Sequence, residues 1–522
     1  MTRPHAFRHL AVLLTFLVLA AACDDASSPL NDAGVDAADL TDTVEDADAA
    51  HDADGEVPDP DDHLKLAGEL ALTKISLFQA VEIPLWRSGD PFAPAPVVIV
   101  PGRALRVVVW ATPGTGTALG PLTLQVSTIP AGGDPVHLQE TVTFPAASEP
   151  ADPATAVHLD IPAEHVHAGL GLSVRVLDEA APVTPESQPH PARAGTLDAP
   201  LSVAVEPAQE PVRLILIPIR YQDGGQDFLP DTSSAQLQLY EALLEAVYPG
   251  EFELVLHAEL AWDDPFTWTG NFDFGDLNGE LVDLKSSEGE APESYYYALV
   301  APAASFSEYC GGSCTTGQSY EISDPASADY RVGGGMGFSG ENSAWTLVHE
   351  LGHMFGRSHT GCDVSLDDGD YPYDGGMLGS WGLDARSGAW IDPADTADFM
   401  GYCDPTWVSD YTWNGLYDRI ADLAQLYPPA APSPVRLLHV NLDRGTLRAG
   451  ALRSVPGDSG RGRTVRVIVS ALGRTRELAR GGREFPAPAV FQSGGRAFTL
   501  ALPADVDPRT VFLPDFPHLI FR

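Results

Sequence analysis

The stretch that decides the reading runs from His349 to His359, HELGHMFGRSH. His349 and His353 lie four residues apart, one helical turn, so both imidazoles leave the same helix face and can hold a single ion. Zinc suits such a donor set. Glu350 stands beside the first histidine, where its carboxylate reaches an attacking water. Gly356 permits a backbone turn that a side chain would hinder, which brings His359 back toward the same ion. Three neutral imidazoles leave one coordination position open, and that is the arrangement of a catalytic rather than a structural zinc.

Around this stretch, from about residue 211 to 430, helix and strand signals alternate. VRLILIPI (212–219) reads as a buried strand, EFELVLHAEL (251–260) alternates, and YYYALVAP (295–302) is another buried run. Asp231 to Ser234 offer N-caps for a helix whose stripe is Leu239, Leu243 and Val247. Leu416, Ile420, Leu423 and Tyr427 keep helical spacing until Pro428 and Pro429 stop it. YRVGGGMGFS (330–339) is expected as an edge strand beside a cleft, with GGGMGFS free to pair with an extended substrate. The pattern predicts an α/β (α+β) domain.

The full string matches HExxHxxGxxH, and in this the sequence resembles the metzincins, zinc peptidases whose elongated motif is followed by a methionine turn. DFMGYC (398–403) is similar to that second element. The resemblance implies a metzincin-like fold for 211–430, one catalytic Zn²⁺ on His349, His353 and His359, and Met400 as an apolar floor under the ligands. It also implies Tyr402 as an extra ligand and donor to the developing oxyanion, and Glu350 as general base. A distant likeness to StcE-type secreted bacterial mucinases rests on domain order. Trp407, Tyr411 and Trp413 follow the turn and are expected either to wall a side-chain pocket or to pack in the core.

The flanks read as β-rich. LTKISLF (72–78), ALRVVVWA (104–111), LTLQVST (122–128) and LSVRVLD (172–178) suit an N-terminal β-sandwich over 64–180. A Pro-rich linker follows at 181–210, interrupted by LSVAVEP. TVRVIVSAL and AFTLALP suit a small C-terminal β domain over 431–522. At 522 residues the chain is too long for one ordinary core.

Arg3, His5, Arg8 and His9 precede an apolar run that ends in LAAAC at Cys23. Residues 1–22 are therefore expected to be a signal peptide. The ending resembles a bacterial lipoprotein lipobox, which implies lipidation of Cys23, export, and anchoring at the cell envelope or surface, with release as a further outcome. Residues 23–63 are expected to be a disordered tether, because Asp24 to Asp62 holds 15 acidic residues and no Lys or Arg. The net charge of −43 disfavours nucleic-acid binding.

Cys310, Cys314, Cys362 and Cys403 remain, an even number suited to two disulfides in an oxidising compartment. Of three possible pairings, Cys310 with Cys314 and Cys362 with Cys403 is favoured, since the second ties together the two motif segments. A thiolate zinc cluster is the competing reading. Asp363, Asp367, Asp368 and Asp370 form a candidate Ca²⁺ loop without EF-hand spacing. His165 and His167 are expected at the surface. The reading is a monomeric zinc endopeptidase acting on protein or glycoprotein. The alternatives are a surface adhesin or glycan-binding lipoprotein with an inactive protease-like domain.

Overall fold

In the computed structural model the described residues are 64–89, 97–114, 120–146, 148–223, 225–264, 271–364 and 368–428, together with the backbone of strands between 434 and 521. All belong to the unit Asp59–Arg522. The expected signal peptide, the tether up to residue 63, Cys23 and Asp367 lie outside them.

The chain first builds two antiparallel sheets. Strands β1 (Leu70–Phe78), β2 (Glu82–Arg87), β3 (Leu105–Pro113) and β6 (Val157–Ile161) form one, in the order β2-β1-β3-β6. In the other, β4 (Leu122–Ile129) lies between β5 (Val136–Val142) and β7 (Gly171–Leu177). Period-two patterning drives this: Val157, Leu159 and Ile161 point inward while His158 and Asp160 face solvent. In the Pro-rich stretch, β8 (Arg193–Ala194) and β9 (Leu201–Ser202) pair with β7. Glu186 there takes Arg175 at 3.0 Å and Arg193 at 2.8 Å, so each buried guanidinium has its counter-charge.

A mixed sheet follows, built on β10 (Val212–Asp223) and its hairpin partner β11 (Gln226–Phe228). β12 (Phe252–Leu256) and β13 (Leu260–Trp262) run parallel to β10, as does β14 (Tyr295–Val300). β16 (Val332–Met336) is parallel to β14, and β15 (Gly317–Ser319) closes the sheet as its antiparallel edge. Helices cover both faces, which explains why β14 is apolar and buried at every residue. Tyr295, Tyr297 and Leu299 pack with α1 (Ser234–Val247) and α4 (Glu341–Met354), whereas Tyr296, Ala298 and Val300 pack with α2 (Phe274–Glu288).

The glycine run expected at an edge is interior instead. All of β16 is buried, with β14 on one side and β15 on the other. Missing side chains here give room to neighbours rather than exposing backbone.

A short helix, α3 (Phe306–Tyr309), precedes β15. After α4 come the hairpin β17 (Gly382–Asp384) and β18 (Ala389–Ile391), the parallel pair β19 (Ala397–Asp398) and β20 (Thr406–Trp407), and α5 (Asp410–Leu426). Ser233 caps α1 and Ser409 caps α5, each accepting from a backbone N–H three residues on. Leu416, Ile420 and Leu423 form the buried stripe of α5. The strands beyond residue 434 form a six-stranded and a three-stranded sheet, including Val467–Ala471 and Ala497–Pro503.

One buried cluster runs from the first sheets into the helical region. Trp407 Nε1 donates to Ala80 O at 3.0 Å, and Trp413 Nε1 donates to Val98 O at 3.0 Å. Val98 N in turn donates to Asn414 Oδ1 at 3.0 Å. The protein is thus a mixed, sheet-rich α+β structure. Among the described residues, no helix is long and apolar enough to cross a membrane.

Candidate metal centre

Helix α4 buries Leu347, Val348, Leu351 and Met354, which turns His349 and His353 to its opposite side with ring centroids 4.9 Å apart. The helix ends at Phe355, and Gly356 follows with φ 79. A Cβ at Gly356 would lie 2.5 Å from Ile322 O and collide with the Arg419 guanidinium, so both the turn and the packing require glycine. The chain returns, and His359 Nε2 arrives 3.3 Å from His349 Nε2 and 3.2 Å from His353 Nε2.

The protonation of these rings follows from their partners. His349 Nδ1 donates to Phe399 O at 2.7 Å and His353 Nδ1 donates to Arg357 O at 2.7 Å. A carbonyl can only accept, so both protons sit on Nδ1 and both Nε2 atoms are bare lone pairs. His359 has at most one proton to offer at Nε2, which cannot satisfy both neighbours. A cation can. With metal–nitrogen bonds of about 2.1 Å, tetrahedral ligand nitrogens stand about 3.4 Å apart, close to the spacing found. Burial and neighbouring imidazoles push His349 down to about 3 and His353 down to about 4, and burial also lowers His359, so the triad is neutral and ready to ligate.

Glu350 is 6% exposed, and burial pushes its carboxyl up to about 8, while the Ser319 hydroxyl pulls the other way. Ser319 Oγ sits 2.7 Å from Glu350 Oε2. A divalent charge nearby favours the ionised carboxylate.

Met400 is fully buried beneath α4. Gly352 makes room for it, since a Cβ there would meet the Met400 sulfur. Asp398 shapes this turn by accepting from Met400 N at 2.9 Å and Ser409 N at 2.9 Å. Tyr402 is 60% exposed with its hydroxyl 3.0 Å from His359 Nε2. The histidine loop and the methionine turn are laced together by Thr360 N to Met400 O at 3.1 Å, Tyr402 N to Cys362 O at 3.0 Å, and the Cys362–Cys403 disulfide. Cys310 pairs with Cys314 just before β15.

Other expectations fare differently. Trp407 and Trp413 are 2% and 0% exposed and pack against the first sheets, so they wall no pocket. Tyr411 lies against the Arg357 guanidinium and donates to Asp368 Oδ2 at 2.9 Å. The histidine triad is the one group of three or more metal-ligating side chains among the described residues, so the aspartate loop gives no support to Ca²⁺. His165 and His167 lie in the first sheet region, apart from the triad. Sequence reasoning missed Ser319, Asp398 and the Phe399 carbonyl. The first stands in an unpatterned TTGQSY, and the others stand within DFMGYC but were given no role there.

The family model Peptidase M66 matches residues 278–404, which include Ser319, the histidine triad with Glu350, Asp398, Met400 and Tyr402. That match supports a metallopeptidase. Dictomallein-1 of Dictyostelium discoideum is 29% identical over 142 residues, 26% of this chain and 21% of that protein, so the chain spans about a fifth of that relative's length. Among solved structures, one described as a chaperone-substrate complex covers 50% of this chain and 35% of its own at 14% identity. Its TM-score of 0.21 carries no argument about fold.

Proposed function

We propose that the chain is a zinc-dependent endopeptidase of the metzincin type that hydrolyses peptide bonds in extracellular proteins or glycoproteins. One observation carries this reading: two bare imidazole nitrogens and a third meet at 3.2–3.3 Å beside a buried carboxylate. His349, His353 and His359 would hold the ion. When bound, zinc supplies a Lewis acid that polarises the scissile carbonyl and makes water acidic near neutral pH. Glu350 accepts a proton from the attacking water and returns it to the leaving amine. Tyr402, exposed and within 3.0 Å of His359 Nε2, donates its hydroxyl hydrogen to the oxyanion. Met400, buried against Gly352 of α4, would form the apolar floor beneath the ligands. The unpaired side of β15, beside Glu350, suits an extended backbone better than the interior glycine run.

On this reading residues 1–22 are a leader, Cys23 carries the lipid, 23–63 hold a monomeric enzyme away from the envelope, and 64–180, 211–430 and 431–522 are its domains, with 181–210 between the first two. The apolar run ending at Cys23 supports export, and the acidic stretch that follows Cys23 supports an anchor. The test is cleavage of a broad panel of proteins by metal-loaded enzyme. Cleavage that a chelator stops and zinc restores is expected; a panel left intact under all conditions contradicts the proposal.

A further inference from the structure

The side chain of Glu350 hangs from a helix and turns about three bonds, yet a general base works only where its oxygen meets the proton. Among the described residues its carboxylate has one hydrogen-bonding partner, Ser319, whose Oγ lies 2.7 Å from Oε2 and 2.8 Å from the Glu350 carbonyl. One hydroxyl hydrogen serves one acceptor at a time, and an ionised carboxylate is the stronger. The other oxygen, Oε1, faces Gly317, where a Cβ would lie 2.8 Å away. One end of the carboxylate is therefore tied and the other left open.

Two of the surrounding glycines give this pair its room. Ser319 and Gly333 are cross-strand partners, and a Cβ at Gly333 would come within 2.5 Å of Ser319 Cβ. A Cβ at Gly317 would lie 2.7 Å from Glu350 Cγ. A Cβ at Gly335 would meet the Tyr297 hydroxyl beneath the same helix. β15 is itself pinned, since Asn278 Nδ2 donates to Gln318 O at 2.9 Å and Met336 N donates to Thr316 O at 2.7 Å. A rigid edge strand thus presents a hydroxyl to a carboxylate through a gap that glycines keep open.

We infer that Ser319 is the positioning residue for Glu350, fixing Oε2 and leaving Oε1 as the end that takes the proton, and that Gly317 and Gly333 leave the room in which this pair is seated. The inference rests on the proposed role of Glu350 as the base, and its test separates the two.

The experiment compares the full chain with Ser319→Ala, a change that only removes an atom. Three quantities are read: zinc per chain, steady-state kinetics on a cleaved protein, and the Glu350 rotamer in crystals of both forms. Zinc content is expected to stay at the wild-type value and KM within about twofold. A displaced base loses about 10- to 100-fold in kcat. In the variant crystal the carboxylate is expected to leave its wild-type position. An unchanged Glu350 rotamer, or an unchanged kcat in an enzyme that Glu350→Gln inactivates, overturns the inference. If Glu350→Gln leaves hydrolysis intact, the base assignment falls instead, and the crystal comparison still decides whether Ser319 positions the side chain.

Discussion

His349 Nδ1 donates to the main-chain oxygen of Phe399 at 2.7 Å, so the residue before Met400 orients an imidazole of the triad fifty positions earlier in the chain. The turn around Met400 is therefore a hydrogen-bonding partner of the triad. Its shape depends on Asp398, fully buried, whose two carboxylate oxygens take the N–H groups of Met400 and Ser409. Burial raises the Asp398 pKa, and those donors oppose the rise.

Asp398→Ala leaves those N–H groups without their acceptor and is expected to destabilise the protein by about 2–4 kcal/mol. The Phe399 carbonyl then loses its aim, and zinc affinity is expected to fall about 10- to 100-fold, the usual cost of losing an outer-shell partner. Competition with a chromophoric chelator measures this. Unaltered affinity contradicts a link between the turn and His349.

His359→Ala removes the only triad ligand that lies beyond the helix. A two-histidine remnant is expected to lose zinc more completely than any outer-shell variant, beyond about 100-fold. Equilibrium dialysis followed by metal analysis reads the outcome, and full wild-type stoichiometry at low free zinc contradicts a three-imidazole site.

pH acts on the metal-free protein through the same rings. Unfolded histidine titrates near 6.5, whereas His349 and His353 are held at about 3 and about 4 when folded. Below pH 6.5 the unfolded chain binds protons that the folded one refuses, so acid favours unfolding. Stability of the metal-free form is expected to decline as pH falls from 6.5 toward 4. Glu350, raised to about 8 when folded, acts in the opposite sense over this range, so urea midpoints at pH 7 and pH 5 are compared in Glu350→Gln; equal midpoints there contradict the buried, neutral state of the triad.

Trp413 sits at 0% exposure with its indole N–H on Val98 O. Trp413→Ala is expected to cost about 3–5 kcal/mol, as large-to-small changes in cores do, and to leave that carbonyl unpaired. A loss below 1 kcal/mol in denaturant unfolding would mean that the seam between α5 and the first sheets contributes little.

The convergence of His349, His353 and His359 was legible because its logic is local: a four-residue helical step and a glycine turn need no knowledge of the rest of the chain. Met400 and Tyr402 were singled out only by resemblance, since the contact of Tyr402 with His359 spans 43 positions and Met400 lies against Gly352 of a distant helix. The glycine run was misread because an absent side chain means either open backbone or close packing. Ser319 and Tyr297, remote in sequence, decide for packing. Trp407 and Trp413 were ambiguous for a similar reason. Whether they face a cleft or a core depends on Ala80 and Val98, more than 300 residues away. Ser319 had no signal at all, because one serine on an edge strand acquires meaning only when α4 brings Glu350 to it.

The most direct measurement is the hydrolytic rate of Glu350→Gln on a protein the wild type cleaves, with zinc content determined on the same samples. Loss of about 10²–10⁴-fold or more, the contribution of a positioned base, with zinc retained at the wild-type level is the expected result. Cleavage at the wild-type rate by a zinc-loaded Glu350→Gln enzyme would contradict the assignment of this site to zinc-dependent peptide hydrolysis.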